Sequence, residues 1–274
     1  MTIGIVGLGL IGGSLAMAIR KKTAHHVLGT DTQDAVVLRA QLFEAIHGEL
    51  SDDTLKDCDV VFLALYPKDA MEYVRNRAPL FKKGGLVVDC CGVKGAICPE
   101  LFAIAKAQGF NFVGGHPMAG IEYSGFTHAH STLFEGASMI LVPDGGGDIE
   151  LLEKLKKLCI EIGFAKVPII TAKEHDRVIA YTSQLAHIVS SAYVKCPHAK
   201  KDDLSAGSFK DMTRVARLNS DMWTELFLLN RDPLLGELEG LIDRLAQYAA
   251  ALRGKDEKAL WDLLEEGNRI KVGL

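Results

Sequence analysis

The stretch that most limits what this chain can become is its beginning, TIGIVGLGLIGGSLA. A continuous apolar run leads directly into Gly7, Gly9 and Gly12, spaced G-x-G-x-x-G, and a helix-forming run follows at once. That context, strand then glycine turn then helix, opens a dinucleotide-binding unit. Gly7 permits the tight turn, Gly9 lets the backbone approach a pyrophosphate, and Gly12 lets helix and strand pack closely. The helix start then favours phosphate charge. Gly7, Leu8, Gly9, Leu10, Ile11 and Gly12 are therefore the expected cofactor loop. A second strand-like run, HVLGT, leads to Asp31, nineteen residues after Gly12. An acid there can accept both ribose hydroxyls of an adenosine. It would repel a 2′-phosphate, and Thr32, Gln33 and Asp34 supply no cation, so NAD is expected over NADP. The plainer reading is that Asp31 only caps the DTQDAVV turn.

Further along, short apolar runs alternate with helical patterns. The expected strands are IGIV, HVLGT, DVVFLAL, GLVVDC, FNFVG, SMILVP and KVPII. Between most of them lie IGGSLAMAIRKK, DAVVLRAQLF, PKDAMEYVRNRAPLF, PELFAIAKAQG and DIELLEKLKKLCIEIG. Strands that are apolar throughout are covered on both faces, and strand–helix alternation gives a doubly wound, mostly parallel sheet. DGGGD at 144–148 reads as a loop. Beyond about residue 170 the strand signal stops. TAKEHDRVIAYTSQLAHIVSSAYVK reads as one long helix capped by Thr, and SFKDMTRVARLN, SDMWTELFLLN, DPLLGELEGLIDRLAQYAAALRG and DEKALWDLLEEGNRIK as more, with Ser or Asp caps and an early Pro233. The expected fold is thus α/β: a Rossmann-type domain over 1–170, then an all-α domain over 171–274. The apolar LAHIVSSAYV segment suits a bundle interior or a homodimer interface.

Composition narrows the function classes. Apolar residues make up 48% and charged residues 24%, with a net charge of −4 and no long basic run, which argues against a nucleic-acid surface. None of the six cysteines forms a C-x-x-C pair, so no metal site is expected; several lie in apolar runs, as free thiols do in a reducing, cytoplasmic setting. Neither a signal peptide nor a membrane span is expected.

GGHPMAGIEYSG, residues 114–125, stands out as small and polar immediately after an apolar run. Pro117 biases His116 towards extended backbone. A neutral imidazole, with an ordinary pKa near 6.5, can accept a proton at working pH; a structural hydrogen bond is the bland alternative. This segment closely resembles the signature of the prephenate dehydrogenases, the TyrA family of tyrosine biosynthesis. GIVGLGLIGGSLA, DCCGVKG at 89–95, HDRVIAYTSQLAH at 175–187 and SAGSFKDMTRVA at 205–216 extend the resemblance, in the family's order, over most of the chain.

The resemblance implies an NAD-dependent oxidative decarboxylation of prephenate to 4-hydroxyphenylpyruvate by an enzyme with a helical, dimer-forming domain. Carried over residue by residue, His116 accepts the hydrogen bond of the substrate's 4-hydroxyl and is the catalytic residue. Arg214 grips a substrate carboxylate, which a guanidinium does with two parallel bonds. His187 and Gln184 match substrate-binding positions of the S-H-L-P-H segment, and Gly207 a backbone position near the substrate. Glu122 pairs with Arg214 or gates the pocket, or is simply an exposed loop acid. Ser124 is a polar contact or a turn residue. Lys210, Arg214 and Arg217 are expected on one helix face.

Two departures from the family pattern bear on substrate preference. Gly92 stands where the family often has Ser, with Cys91 beside it, and Gln184 and Ala186 replace the first His and the Pro of S-H-L-P-H. Arogenate, the amino analogue of prephenate, is the alternative substrate. A β-hydroxyacid dehydrogenase, a pyrroline carboxylate reductase and a non-catalytic NAD-binding redox sensor are the competing functions. With the chain ending at Leu274, no mutase or regulatory segment is expected, and feedback inhibition by tyrosine would act at the active site.

Overall fold

The computed structural model describes residues 1–145, 148–197 and 207–273. Gly146 and Gly147 of the DGGGD loop, and Ser205 and Ala206 ahead of Gly207, lie outside them. One sheet holds seven strands: β1 (Thr2–Val6), β2 (His26–Thr30), β3 (Gly48–Glu49), β4 (Val60–Leu63), β5 (Leu86–Asp89), β6 (Asn111–Pro117) and β7 (Met139–Pro143). Their order is β3-β2-β1-β4-β5-β6-β7, parallel except for β7, which runs antiparallel to β6.

Side chains alternate between two covered faces. Ile3, Ile5, Val60, Phe62 and Val88 pack with Leu15 and Ile19 of α1 (Leu10–Lys22) and with Leu158 and Ile162 of α6 (Ile149–Ile162). Val6, Val61, Leu63 and Val87 pack on the other face with Ala70 and Val74 of α4 (Pro67–Arg77) and Leu101 and Ala105 of α5 (Cys98–Gln108). Period-two alternation with both faces buried is why these strands read as unbroken apolar runs. The shorter α2 (Asp34–Leu42) and α3 (Asp52–Leu55) complete this half.

Most of the expected elements are present, and four departures bear on the sheet and the site. KVPII is not a strand: only the bridges Ser138↔Lys166 and Leu141↔Ile169 tie it to the sheet. The two-residue β3 has no sequence signal of its own. The strand expected over 110–114 continues to Pro117, because β7 pairs with it from Val113↔Pro143 to Pro117↔Met139. His116 is therefore held in a sheet, opposite Ile140. Fourth, the helix expected over 208–219 stops early, as described below.

From residue 171 onwards the described chain is helical. The Thr171 hydroxyl accepts the Glu174 N–H at 3.2 Å and starts α7 (Ala172–Ile179). A π-helical stretch, Ala180–Leu185, carries the same helix into α8 (Ala186–Tyr193). α9 (Gly207–Thr213) ends in a tight turn at Arg214–Ala216, where Val215 leaves helical geometry. Lys210, Arg214 and Arg217 therefore do not share one regular helix face: Arg217 already has extended backbone. α10 (Ser220–Leu229) is capped by Asn219 rather than by Ser or Asp, α11 (Arg231–Gly254) carries Pro233 in its first turn, and α12 (Glu257–Val272) is capped by Asp256. Large apolar side chains on α11 and α12, among them Leu245, Leu252, Trp261 and Leu264, are more than half exposed. No helix among the described residues is long and apolar enough to cross a membrane.

Candidate active site

Parallel strands end on one edge of the sheet, and the residues singled out above gather there. The glycine loop follows β1, Asp31 follows β2, the 90–95 loop follows β5, and His116 lies near the end of β6. The connections from β1 and β4 leave in opposite directions along the sheet, which opens a crevice beyond their carboxyl ends.

The loop fits a dinucleotide on its own geometry. Gly7 has φ +85°, and a Cβ there would meet the Ala64 carbonyl oxygen at 2.6 Å. A Cβ on Gly12 would collide with the Gly7 carbonyl. A Cβ on Gly9 would meet nothing within 4 Å, so the loop is open on the side a phosphate would approach. Gly9 caps α1 without a side-chain acceptor, which leaves the first-turn N–H groups free for an anion. Asp31 does two jobs at once. Its Oδ2 accepts the Leu8 N–H at 2.8 Å and its Oδ1 the Gln33 N–H at 3.1 Å. It caps the turn, as the plainer reading has it, and also holds the glycine loop in place.

His116 is built in from below. Gly114 and Gly115 are where they are for space: a Cβ on Gly114 would lie 2.7 Å from the Cys98 sulfur, and one on Gly115 would strike the Asp89 carbonyl. Gly115 N–H donates to Asp89 Oδ1 at 3.0 Å. Asp89 is fully buried, as is Lys94, whose ammonium bonds Asp89 Oδ2 and the carbonyls of Cys91 (2.9 Å) and Val93 (3.2 Å). Burial pulls the Lys94 pKa down, but the surrounding groups, Asp89 first among them, together outweigh it and the net shift is upward. A cation is thus fixed beside His116.

His116 Nδ1 lies 2.8 Å from His175 Nε2, and His175 Nδ1 lies 2.7 Å from Asp176 Oδ1. Asp176 also accepts the backbone N–H groups of Lys94 (2.8 Å) and Gly95 (2.7 Å), which docks α7 onto the loop after β5. Burial, then the neighbouring His175 and Lys94 charges, hold His116 well below the ordinary His pKa of 6.5. Burial likewise lowers His175, against an opposing pull from the Asp176 bond. The imidazole pair is therefore neutral at neutral pH. Nothing in the sequence pattern assigned His175, Asp176, Lys94 or Asp89. The available signal was an acid and a lysine five residues apart in an otherwise apolar run, and a His-Asp pair at the start of an apolar helix.

Gly92 adjoins the His116 ring: a Cβ there would stand 3.9 Å from His116 Cε1. Cys91 turns away, its thiol reaching the Leu65 carbonyl at 3.4 Å, and burial pushes its pKa up.

The other candidates lie on the helical half or the 118–125 loop. Arg214 Nη1 bonds Glu122 Oε1 at 3.0 Å. Glu122 has a lowered pKa, first from its own backbone N–H and then from Arg214. Arg217 sits over the Tyr123 ring, 5.5 Å from its centroid. His187 stacks on Trp223 with centroids 4.0 Å apart, and its Nδ1 meets the Ser183 carbonyl at 2.8 Å. Burial lowers its pKa, and the Arg214 charge adds to that. Trp223 is a further residue that spacing did not single out. A Cβ on Gly207 would meet nothing within 4 Å, and Ser124 is exposed. Gln184 is buried, its Oε1 accepting the Asn230 amide at 2.7 Å; that amide also bonds the Asp176 carbonyl at 2.9 Å. No group of three or more His, Cys, Asp or Glu among the described residues is arranged to hold a metal ion.

A dinucleotide-type crevice lined by a half-buried neutral histidine, with a helical half carrying Arg214 and His187 packed against it, defines a two-domain nicotinamide-dependent dehydrogenase. Residues 15–167 match the family model described as prephenate dehydrogenase, nucleotide-binding domain, and residues 171–266 the one described as prephenate dehydrogenase, dimerization domain. The chain is 33% identical to a prephenate dehydrogenase of Lactococcus lactis, over 98% of this chain and 76% of the relative. It superposes on prephenate dehydrogenase from A. aeolicus in complex with hydroxyphenyl propionate and NAD+ with a TM-score of 0.88, 28% identity and coverage of 100% and 98% of the two chains. For Synechocystis arogenate dehydrogenase the values are 0.83, 28%, 99% and 100%. The chain belongs to the prephenate dehydrogenase family.

Proposed function

We propose that this chain carries out the NAD-dependent oxidative decarboxylation of prephenate to 4-hydroxyphenylpyruvate, with His116 as the proton acceptor. The observation that carries this reading is His116 itself: a neutral imidazole fixed by a sheet register and a bonded neighbour, beside the crevice that fits the cofactor. Bound NAD+ supplies the hydride acceptor for C4 of the substrate. His116 takes the 4-hydroxyl proton as C4 is oxidised. The ring carboxylate leaves as CO2, its bonding electrons complete the aromatic ring, and His116 returns the proton to the phenolic oxygen. Atoms and charge balance without a metal.

Gly7, Leu8, Gly9, Leu10, Ile11 and Gly12 hold the pyrophosphate, and Asp31 the adenosine ribose. Arg214 binds a substrate carboxylate, and its bond to Glu122 is exchanged for that carboxylate when substrate enters. His187 on its Trp223 shelf, the Gly207 backbone, Gln184 and Ser124 line the remainder. The division into a cofactor domain and a helical substrate and dimerisation domain falls near residue 170. The exposed apolar faces of α11 and α12 support a homodimer made through that second half. Free cysteines support a reducing, cytoplasmic setting.

The test is NADH formation by purified protein with prephenate and with arogenate, each with NAD+ and NADP+. Prephenate with NAD+ should give the highest kcat/KM. His116→Asn should lower kcat by about 100-fold or more with a smaller change in KM. A His116→Asn enzyme with wild-type kcat removes the assignment.

A further inference from the structure

We propose that His175 and Asp176 are positioning residues that decide which nitrogen of His116 carries its proton. The proposal rests on the reading of His116 as proton acceptor and extends it to the residues behind it. Asp176 receives three hydrogen bonds, from the Lys94 and Gly95 backbone and from His175 Nδ1. Backbone N–H groups can only donate, so Asp176 is there as a carboxylate that only accepts. His175 must then carry its proton on Nδ1. In a neutral ring that leaves Nε2 as a lone pair. The His116 nitrogen facing it, Nδ1, must therefore donate. His116 is left with a lone pair on Nε2, the nitrogen not engaged by His175, which is the form needed to accept a hydroxyl proton.

The opposite tautomer would present an N–H to the substrate hydroxyl and could not act as a base. Direction thus propagates from two fixed peptide groups, through a carboxylate and two imidazoles, to the reacting atom. The same logic underlies acid–histidine pairs in hydrolases, where the acid selects the tautomer. Here the acid acts one imidazole further away. It also couples the two halves of the molecule, since His116 stands on β6 and His175–Asp176 on α7. The charged groups bearing on the imidazole pair are Lys94 from the loop after β5, Asp89 at the end of β5 and Asp176 on α7. Neither Lys94 nor Asp89 is bonded to either imidazole, so the direction of the two ring hydrogen bonds is set by Asp176.

Two replacements separate positioning from packing. His175→Phe keeps a ring of similar size and offers no acceptor. His175→Gln offers a carbonyl to His116 Nδ1 and an amide to Asp176. Both should melt within a few degrees of wild type and bind NAD+ normally. His175→Phe should lower kcat by about 10–100-fold, the loss usual for an outer partner of an active histidine, with KM changed far less. His175→Gln should recover most of it, and its pH–rate profile should keep the wild-type acid limb. Ring 15N shifts, assigned with His116→Asn, provide a readout independent of turnover. Wild type and His175→Gln should show the His116 proton on Nδ1, and His175→Phe a mixture of tautomers. Wild-type kcat in His175→Phe, equal loss in both variants, or a wild-type His116 proton on Nε2 overturns the proposal. If His116→Asn keeps full activity, the reading of His116 fails instead, and the ring spectra still decide the relay.

Discussion

Lys94→Met is the most demanding test of the scaffold beneath the site. Lys94 and Asp89 have no exposed surface, and the ammonium makes three bonds, to one carboxylate oxygen and two carbonyls. Met fills nearly the same space but donates nothing. Asp89 would keep its bonds from Cys91 N–H (2.9 Å) and Gly115 N–H (3.0 Å), so its charge is only partly stranded. Removing one member of a buried pair costs about 3–5 kcal/mol, and the two surviving bonds place this case towards about 3–4. For a chain of this size that is a fall in Tm of roughly 6–16 °C. Urea and thermal unfolding measure it directly. Adding Asp89→Asn to the variant should restore part of the loss, because the stranded charge is then gone. The charge beside His116 also disappears, so the acid limb of the rate should move to higher pH. A loss below about 1 kcal/mol would refute the reasoning, since it would mean that water reaches the pair.

Four further outcomes are expected. The rate should hold as pH falls through 6.5 and drop only below it, because His116 is held neutral in the fold. Over the same window stability should fall as pH drops, by up to about 1.4 kcal/mol per pH unit for each of His116 and His175, because only the unfolded chain takes up those protons; an acid limb at or above 6.5 in a pH–rate series contradicts this. Gly92→Ser should fold normally, since its Cβ would lie 3.5 and 3.6 Å from the Leu226 δ carbons, and one added hydroxyl bond near His116, about 0.5–1.5 kcal/mol, should raise kcat/KM roughly 2–10-fold; a fall in kcat/KM in a well-folded variant would count against it. Arg214→Ala should raise KM for substrate by about 10–100-fold with kcat nearly kept, the worth of one hydrogen bond to a charged group; a kcat defect at unchanged KM would assign Arg214 elsewhere.

The sheet and its order of elements were legible in the sequence because the signals are local. Apolar runs of strand length, caps such as Thr171 and Asp256, and the glycine spacing each act within a few residues. What was missed depends on partners far along the chain. His116 reads as part of a small-residue loop until β7 pairs with β6. KVPII has strand composition but meets the sheet at only two bridges. His175–Asp176 reads as a polar helix start, and becomes buried only when α7 docks on the Lys94–Gly95 amides. The break after Thr213 has no glycine or proline to announce it.

The π-helical stretch within the α7–α8 helix has a consequence for phase. Each residue of an α-helix advances the side chain by about 100°, so the twelve steps from His175 to His187 would leave the two rings about 120° apart. A π turn absorbs one extra residue, which rewinds the helix by one step and brings them within roughly 20° of each other. One rod thereby addresses two ends of a small molecule from the same side, backing the reacting end through His116 and offering the His187–Trp223 shelf about three turns further on. Deleting a single residue between Ala180 and Leu185 would convert the π turn to regular α-helix and keep that alignment, eleven ordinary steps apart, whereas straightening the π turn at its present residue count would turn the rings about 120° apart, so the extra residue and the π turn that absorbs it are matched to each other.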